Sequence, residues 1–171
     1  MMPALQTERL WLCAQPRGQL LRWLRGDATL ADAPGVALAD GVLNEVVLRA
    51  MSAKVEKMHG AAAESHVWYT YWRMQLQAAP LVVGLLGYKG APNRQGEVEI
   101  GYGMAPAYRG QGYMTEAVRA LVDWALAQPG CRGVRALTLP DNVASQRVLQ
   151  KVGLELVQRR ENALVWRVAG S

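Results

Sequence analysis

Apolar and polar positions change period several times along the chain, and each change marks an element. Leu5 to Cys13 reads as a first strand. Pro16 then opens a helical segment with Leu20, Leu21 and Leu24 on one side, which Gly26-Asp27 ends. Residues 28–41, rich in Ala, Asp, Gly and Pro, read as a loop with at most a short helical turn. Asn44 is placed to cap the next helix, where Val47, Met51, Val55 and Met58 recur at three- and four-residue spacing until Gly60 closes it. Such a stripe is a core-packing face.

The period then falls to two. Val67 to Gln77 is aromatic and β-rich, Leu81 to Lys89 is almost continuously apolar, and Ala78-Ala79-Pro80 between them predicts a hairpin. A turn over Ala91 to Gly96 leads into a strand over Glu97–Met104, so these strands follow one another antiparallel. A helix from Thr115 to Gln128 buries Ala117, Leu121 and Ala125, and Pro129-Gly130 stops it. Val134 to Leu139 is the next strand, and the helical crossover before it makes it parallel to its predecessor. A short helix from Val143 to Val152 ends at Gly153, and Leu154–Arg159 and Leu164–Val168 form a closing hairpin around Glu161-Asn162. No linker, repeat or low-complexity segment divides residues 1–171, which read as one mixed α/β domain.

Composition narrows the class. The chain has 171 residues, 51% apolar and 19% charged, which suits one domain that buries most of its apolar surface. No uninterrupted apolar run approaches the roughly 20 residues that span a bilayer. Glu8 and Arg9 interrupt the N-terminus before any secretory apolar core, so a cytoplasmic location without a membrane partner is expected. The net charge of +5 comes from scattered basic positions, not from the stripe that nucleic-acid binding uses, so nucleic acid is not an expected partner. A modest positive excess also favours an anionic ligand. Cys13 and Cys131 lie far apart and outside any metal-ligand spacing, and His59 and His66 flank a loop with no paired carboxylate, so no metal site is expected.

The stretch richest in chemistry is Ala105-Pro106-Ala107-Tyr108-Arg109-Gly110-Gln111-Gly112-Tyr113-Met114-Thr115-Glu116-Ala117, a glycine-bracketed turn from strand to helix. Glycine lets successive N–H groups point one way, and the helix that follows adds the positive end of its dipole. A pyrophosphate is the ligand such a turn is expected to hold. In the preceding strand, alternation puts Glu97, Glu99, Gly101 and Gly103 on one face and Val98, Ile100, Tyr102 and Met104 on the other. Glycines inside a strand mark a bulge or the close approach of another backbone or a ligand.

With Glu97–Met104 before the turn and Asp141–Leu154 after it, the chain resembles the GNAT superfamily of acetyl-CoA-dependent N-acyltransferases. Arg109-x-x-Gly112-x-Met114 overlies that family's Arg/Gln-x-x-Gly-x-Gly/Ala motif, and Asn142-x-x-Ser145 with Lys151-x-Gly153 overlies its next strand and helix. The opening Thr7-Glu8-Arg9-Leu10-x-Leu12 is similar to the start of the RimJ/RimL branch, which acetylates ribosomal-protein N-termini and has many relatives with other amine substrates. Two positions depart from the pattern: Met114 stands where Gly or Ala is preferred, and Leu154 where Phe is usual, in a chain that has no Phe.

The resemblance implies a GNAT-like domain of about seven strands, mostly antiparallel, with a central parallel pair splayed for acyl-CoA and about four flanking helices. It implies acetyl-CoA as cosubstrate, no metal, and an amine acceptor, either a peptide N-terminus or a small molecule, taken by a monomer or homodimer. It assigns the cofactor to Met104, Ala105, Arg109, Gly110, Gln111, Gly112, Tyr113, Met114 and Thr115, and to Asn142, Ser145 and Lys151, with Arg147 as a further phosphate contact. Direct attack by the amine needs a base, and Glu99 is the candidate, with Glu97 in reserve and partial burial expected to raise its pKa. An N–H near Met104 or Ala105 is expected to stabilise charge on the thioester oxygen. Where many members carry a Tyr to protonate the departing thiolate this chain has Leu149, so Ser145 inherits that role and Asn142 caps the helix. The alternatives are a non-catalytic acyl-CoA-binding regulatory domain and, third, an RNA- or ribosome-docking module. Peptide α-amines, polyamines, aminoglycosides and amino-acid analogues all present the same nucleophile, so the acceptor stays open.

Overall fold

Short connections and helical crossovers together dictate the sheet. In the structure, a computed structural model that describes residues 1–170, β1 (Ala4–Gln6) and β2 (Leu10–Ala14) form a hairpin. Thr7 turns the chain between them, with its N–H 2.9 Å from the Leu10 carbonyl and its hydroxyl accepting from the Leu10 N–H at 3.1 Å. The single strand expected over Leu5–Cys13 is therefore two, because a hydroxyl able to close a local turn outweighs continuity of the apolar pattern. α1 (Arg17–Leu24) starts behind Pro16, β3 (Ala37–Leu38) is a two-residue strand, and α2 (Glu45–His59) is capped by Asn44, whose side chain accepts from Val47 N–H at 3.0 Å.

The aromatic stretch beginning at Val67 also differs from expectation. Ala63–Trp68 is a 3-10 turn, and β4 begins only at Trp72 (Trp72–Leu76). Trp68 is used for packing: its ring lies 5.0 Å from Tyr88 and 5.2 Å from Trp124, while Trp72 meets Trp124 edge-on at 5.2 Å. Aromatic residues favour strands and tilted ring clusters alike, and local sequence does not separate the two.

β4, β5 (Leu81–Tyr88) and β6 (Glu97–Met104) form the expected antiparallel meander. α3 (Tyr113–Leu126) begins two residues before Thr115 and carries the chain to β7 (Gly133–Thr138), parallel to β6. α4 (Val143–Val152) leads to β8 (Glu155–Arg159) and β9 (Leu164–Ala169). The strand order is β1-β2-β4-β5-β6-β7-β9-β8, with β3 beside β5. This is the expected mixed, mostly antiparallel α/β domain. The divided first strand and β3 bring the sheet to nine strands.

Both sheet faces are covered, which accounts for the continuous apolar run of β5. On one side Leu20, Trp23, Met51 and Val55 of α1 and α2 pack on Val82 and Leu85. On the other, Ala117, Leu121 and Leu149 of α3 and α4 pack on Val83, Leu86, Ile100 and Val134. The ladder to β4 slips beside Val83, and that one extra residue lets Val83 share a core with Leu86, and Val82 with Leu85, at a spacing of three that strict alternation forbids. The Tyr88 hydroxyl, inside the second core, donates to the Leu121 carbonyl at 2.6 Å. Leu154, in the place of the usual Phe, is 2% exposed and fills that packing position. Among the described residues no helix is long and apolar enough to cross a membrane.

Candidate active site

The parallel ladder between β6 and β7 is short. It runs from Glu97–Gly133 to Glu99–Arg135 and stops, although β6 continues to Met104 and β7 to Thr138. Each strand is held on its outer edge, β6 by β5 as far as Met104 and β7 by β9 as far as Thr138, so their far ends part. A wedge opens where the sheet is otherwise most buried. Ala105 N–H donates to the Val83 carbonyl at 2.9 Å. Successive strand N–H groups point to opposite edges, so the Met104 N–H turns into the wedge. Of the two positions expected to meet a thioester oxygen, the ladder leaves Met104; Ala105, fully buried and bonded to β5, is corrected out of that role.

Beyond Met104 the chain makes a 3-10 turn over Pro106–Tyr108, and Gly110 and Gly112 adopt φ of +74° and +83° before α3 begins. Side chains rarely adopt that region, which is why the turn needs glycine at both points. No side chain caps α3, leaving the N–H groups of Tyr113, Met114 and Thr115 for a ligand. Glu116, in the first turn of α3, faces the other way: its carboxylate takes the Thr7 hydroxyl at 2.6 Å, Arg9 N–H at 2.7 Å and Arg9 Nε at 2.7 Å. Arg9 also donates to the Gln111 carbonyl at 2.9 Å and lies 4.4 Å over the Tyr113 ring. The Thr7-Glu8-Arg9 opening thus braces the turn from beneath. Its signal was present in the sequence, but its partner more than a hundred residues away was not.

A cavity of about 560 Å³ lies along this turn and the start of α4. Met104, Arg109, Gly110, Gly112, Tyr113, Met114, Thr115, Asn142, Ser145, Arg147 and Lys151 all border it. Gln111 does not: its side chain turns back to the Ala107 carbonyl at 3.4 Å. Arg109, Arg147 and Lys151 put exposed cations on a border with no carboxylate among the described residues, and glycine leaves the backbone bare. This donor set fits a pyrophosphate. Asn142 caps α4 by accepting from Ser145 N–H at 3.1 Å.

Ser145 Oγ stands 2.8 Å from the Tyr102 hydroxyl. Leu149 is fully buried in the core, and the phenol that borders the cavity beside Ser145 belongs to Tyr102 of β6. Sequence reasoning passed over Tyr102 because alternation places it on the apolar face; its one signal was a tyrosine between two glycines. Burial raises the Tyr102 pKa, and the bond to Ser145 partly offsets that.

On the opposite face of β6 a second cavity, of about 590 Å³, reaches from α2 to Gly101, Tyr102 and Gly103. A side chain at Gly101 would meet Lys89, and one at Gly103 would project into open space, so both glycines keep this cavity clear. Tyr102 and Gly103 border both cavities. Glu99 sits one alternation before Gly101. Its carboxylate is bonded by Lys89 and, at 2.9 Å, by Arg135. Burial alone raises its pKa, but the two cations outweigh burial and hold it below the ordinary value, the reverse of what its position in the strand led one to expect. Glu97 is paired with Arg167. Cys13 and Cys131 border neither cavity, and burial pushes both thiols up.

Comparison with known proteins agrees with this architecture. The family model for the acetyltransferase (GNAT) domain matches residues 20–155. YjdG, an uncharacterized N-acetyltransferase of Bacillus subtilis, is 33% identical over 85 residues, covering 50% of this chain and 51% of YjdG. The match thus spans about half the length of that relative. A GNAT-family acetyltransferase from Bacillus anthracis superimposes with a TM-score of 0.66 at 18% identity over 98% of this chain and 99% of that one. RimL, a ribosomal L7/L12 alpha-N-protein acetyltransferase solved in complex with coenzyme A, gives 0.67 at 15% identity over 98% of each chain. At such identities these two likenesses speak to the fold.

Proposed function

The chain belongs to the acetyltransferase (GNAT) domain family, and from that membership we propose that it transfers the acetyl group of acetyl-CoA to a primary amine by direct attack in a ternary complex. The observation that carries this reading is the meeting of two cavities at Tyr102 and Gly103, one bordered by a bare helix start and cations, the other opening from α2. Two reactants entering from opposite faces of β6 reach each other without a covalent enzyme intermediate.

Acetyl-CoA supplies an acyl carbon activated by a thiolate leaving group; the chain supplies position and proton traffic. The N–H groups from Gly110 to Thr115, with Arg109, Arg147 and Lys151, hold the pyrophosphate. Met104 N–H faces the thioester oxygen as negative charge grows there. Tyr102, kept protonated by its raised pKa and oriented by Ser145, returns a proton to the departing sulfur. Glu99 takes the proton from the amine through water. Its ion pairs keep it ionised, and Lys89, which borders the acceptor cavity, connects it to that site. The Thr7-Glu8-Arg9 brace beneath the turn supports placing the chain near the RimJ/RimL branch.

The test is thiol release from acetyl-CoA against a panel of amines, with product mass confirming N-acetylation. Acetyl-CoA bound tightly but never consumed by any amine would instead favour the regulatory reading.

A further inference from the structure

The cavity on the α2 side has a charge pattern that the transfer chemistry does not use. Three lysines border it, Lys54, Lys57 and Lys89, and among the described residues no aspartate or glutamate does. Lys89 is answered by Glu99, which it already shares with Arg135. Lys54 and Lys57 are answered only by backbone: Lys54 Nζ donates to the Tyr88 carbonyl at 2.5 Å and Lys57 Nζ to the Lys89 carbonyl at 2.9 Å. Lys54 is 8% exposed, lies 4.8 Å over the Tyr71 ring, and keeps donors beyond the one its carbonyl accepts. Burial, aided by the nearby charges of Lys57 and Lys89, brings its pKa down to about 7.

The same stripe of α2 also presents apolar groups. Val46, Val47, Ala50 and Ala53 border the cavity beside the two lysines, at the spacing that puts them on one helix face. Val46 is 77% exposed, an apolar side chain left to solvent above the site. A pocket of about 590 Å³ with an apolar wall and two lysine amino groups that no carboxylate answers suits an anion better than a polycation.

We propose that the acceptor is a small primary amine carrying a carboxylate and an apolar group, of the amino-acid class. Lys54 and Lys57 receive the carboxylate, the α2 wall receives the apolar group, and the amine faces Tyr102 and Gly103. This rests on the acetyl-transfer reading above. In the step, the amine nitrogen bonds to the acetyl carbonyl carbon, the carbon–sulfur bond breaks, and the amine gives up one proton while CoA leaves with one as the free thiol. Polyamines and aminoglycosides are thereby disfavoured, because each would bring further positive charge against the lysines.

The test compares kcat/KM, at equal free-amine concentration, for α- and ω-amino carboxylates with apolar side groups, each beside its carboxamide, and for spermidine and short neutral peptides. The carboxylate is expected to exceed its carboxamide by about tenfold or more, as charge-assisted hydrogen bonds do. In Lys54→Met that ratio falls toward one. Exposed Lys57→Gln, which does not disturb the core, lowers it in the same direction. A wild-type preference for carboxamide, spermidine or peptide overturns the proposal and leaves acetyl transfer standing, as does a ratio unmoved in both variants. Acetylation of no amine, with acetyl-CoA still bound, overturns both readings together.

Discussion

The Tyr102 hydroxyl meets Ser145 Oγ at 2.8 Å and so ties the free end of β6 to the first turn of α4 across the wedge. The two residues come from different elements, yet they border the same cavity, and the serine's own N–H is fixed by Asn142. If the pair acts as one proton donor, Tyr102→Phe lowers kcat by about a hundredfold and Ser145→Ala by less. The double variant should then be no worse than Tyr102→Phe, because the serine acts through the phenol. Steady-state kinetics on all three variants checks this; additive losses would show two independent roles.

Gly112 holds φ of +83°, and a Cβ there would lie 3.3 Å from an Arg9 guanidinium nitrogen. Gly112→Val therefore strains the turn by about 1–3 kcal/mol and tilts the N–H groups of α3. CoA affinity is expected to fall about tenfold or more while the far-ultraviolet circular dichroism stays native. Calorimetric titration with CoA measures it, and undiminished affinity in the folded variant would remove the pyrophosphate assignment.

Glu99→Gln keeps the shape of the side chain and discards its charge. The rate is expected to fall by about a hundredfold near neutral pH and to recover in part at higher pH, where free amine accumulates. A second effect has the opposite pH sense. The folded-state pKa of Glu99 is depressed, so its stabilisation is complete above its unfolded value and is lost as pH falls through the folded one. Wild type should thus lose stability relative to the variant on acidification. Should activity match wild type at every pH while that stability difference remains, Glu99 is structural.

Lys54 carries the reverse linkage. Its pKa falls from 10.5 unfolded to about 7 folded, so between those values the unfolded chain binds more protons and stability climbs with pH. Below about 7 the whole penalty of burying the ammonium applies. Lys54→Met should raise the thermal midpoint most at pH 6 and least near pH 10, a trend that differential scanning calorimetry reads directly.

Both thiols have raised pKa values and stand away from the two cavities. Cys13→Ala and Cys131→Ala should each keep transfer activity within about threefold, and mass spectrometry of the enzyme quenched during turnover should find no acetylated cysteine. A competent acetyl-cysteine would replace direct attack.

Elements governed by local periodicity and punctuation were legible in the chain itself. Pro16, Asn44 and Gly153 bound their helices because capping and φ preferences act over a few residues, and the positive φ of the turn before α3 was legible in its two glycines for the same reason. What required the tertiary structure were relationships between segments distant in sequence. Packing against Tyr88 and Trp124 drew Trp68 out of a strand, through contacts that no short window of sequence contains. Glu99 reads as a partly buried carboxylate, and only the folded sheet brings Arg135 across from the parallel strand to lower its pKa against the pull of burial. Tyr102 belongs by alternation to an apolar face. The early end of the β6–β7 ladder, decided by which neighbour each strand keeps, turns that face toward Ser145 and makes its hydroxyl part of the site.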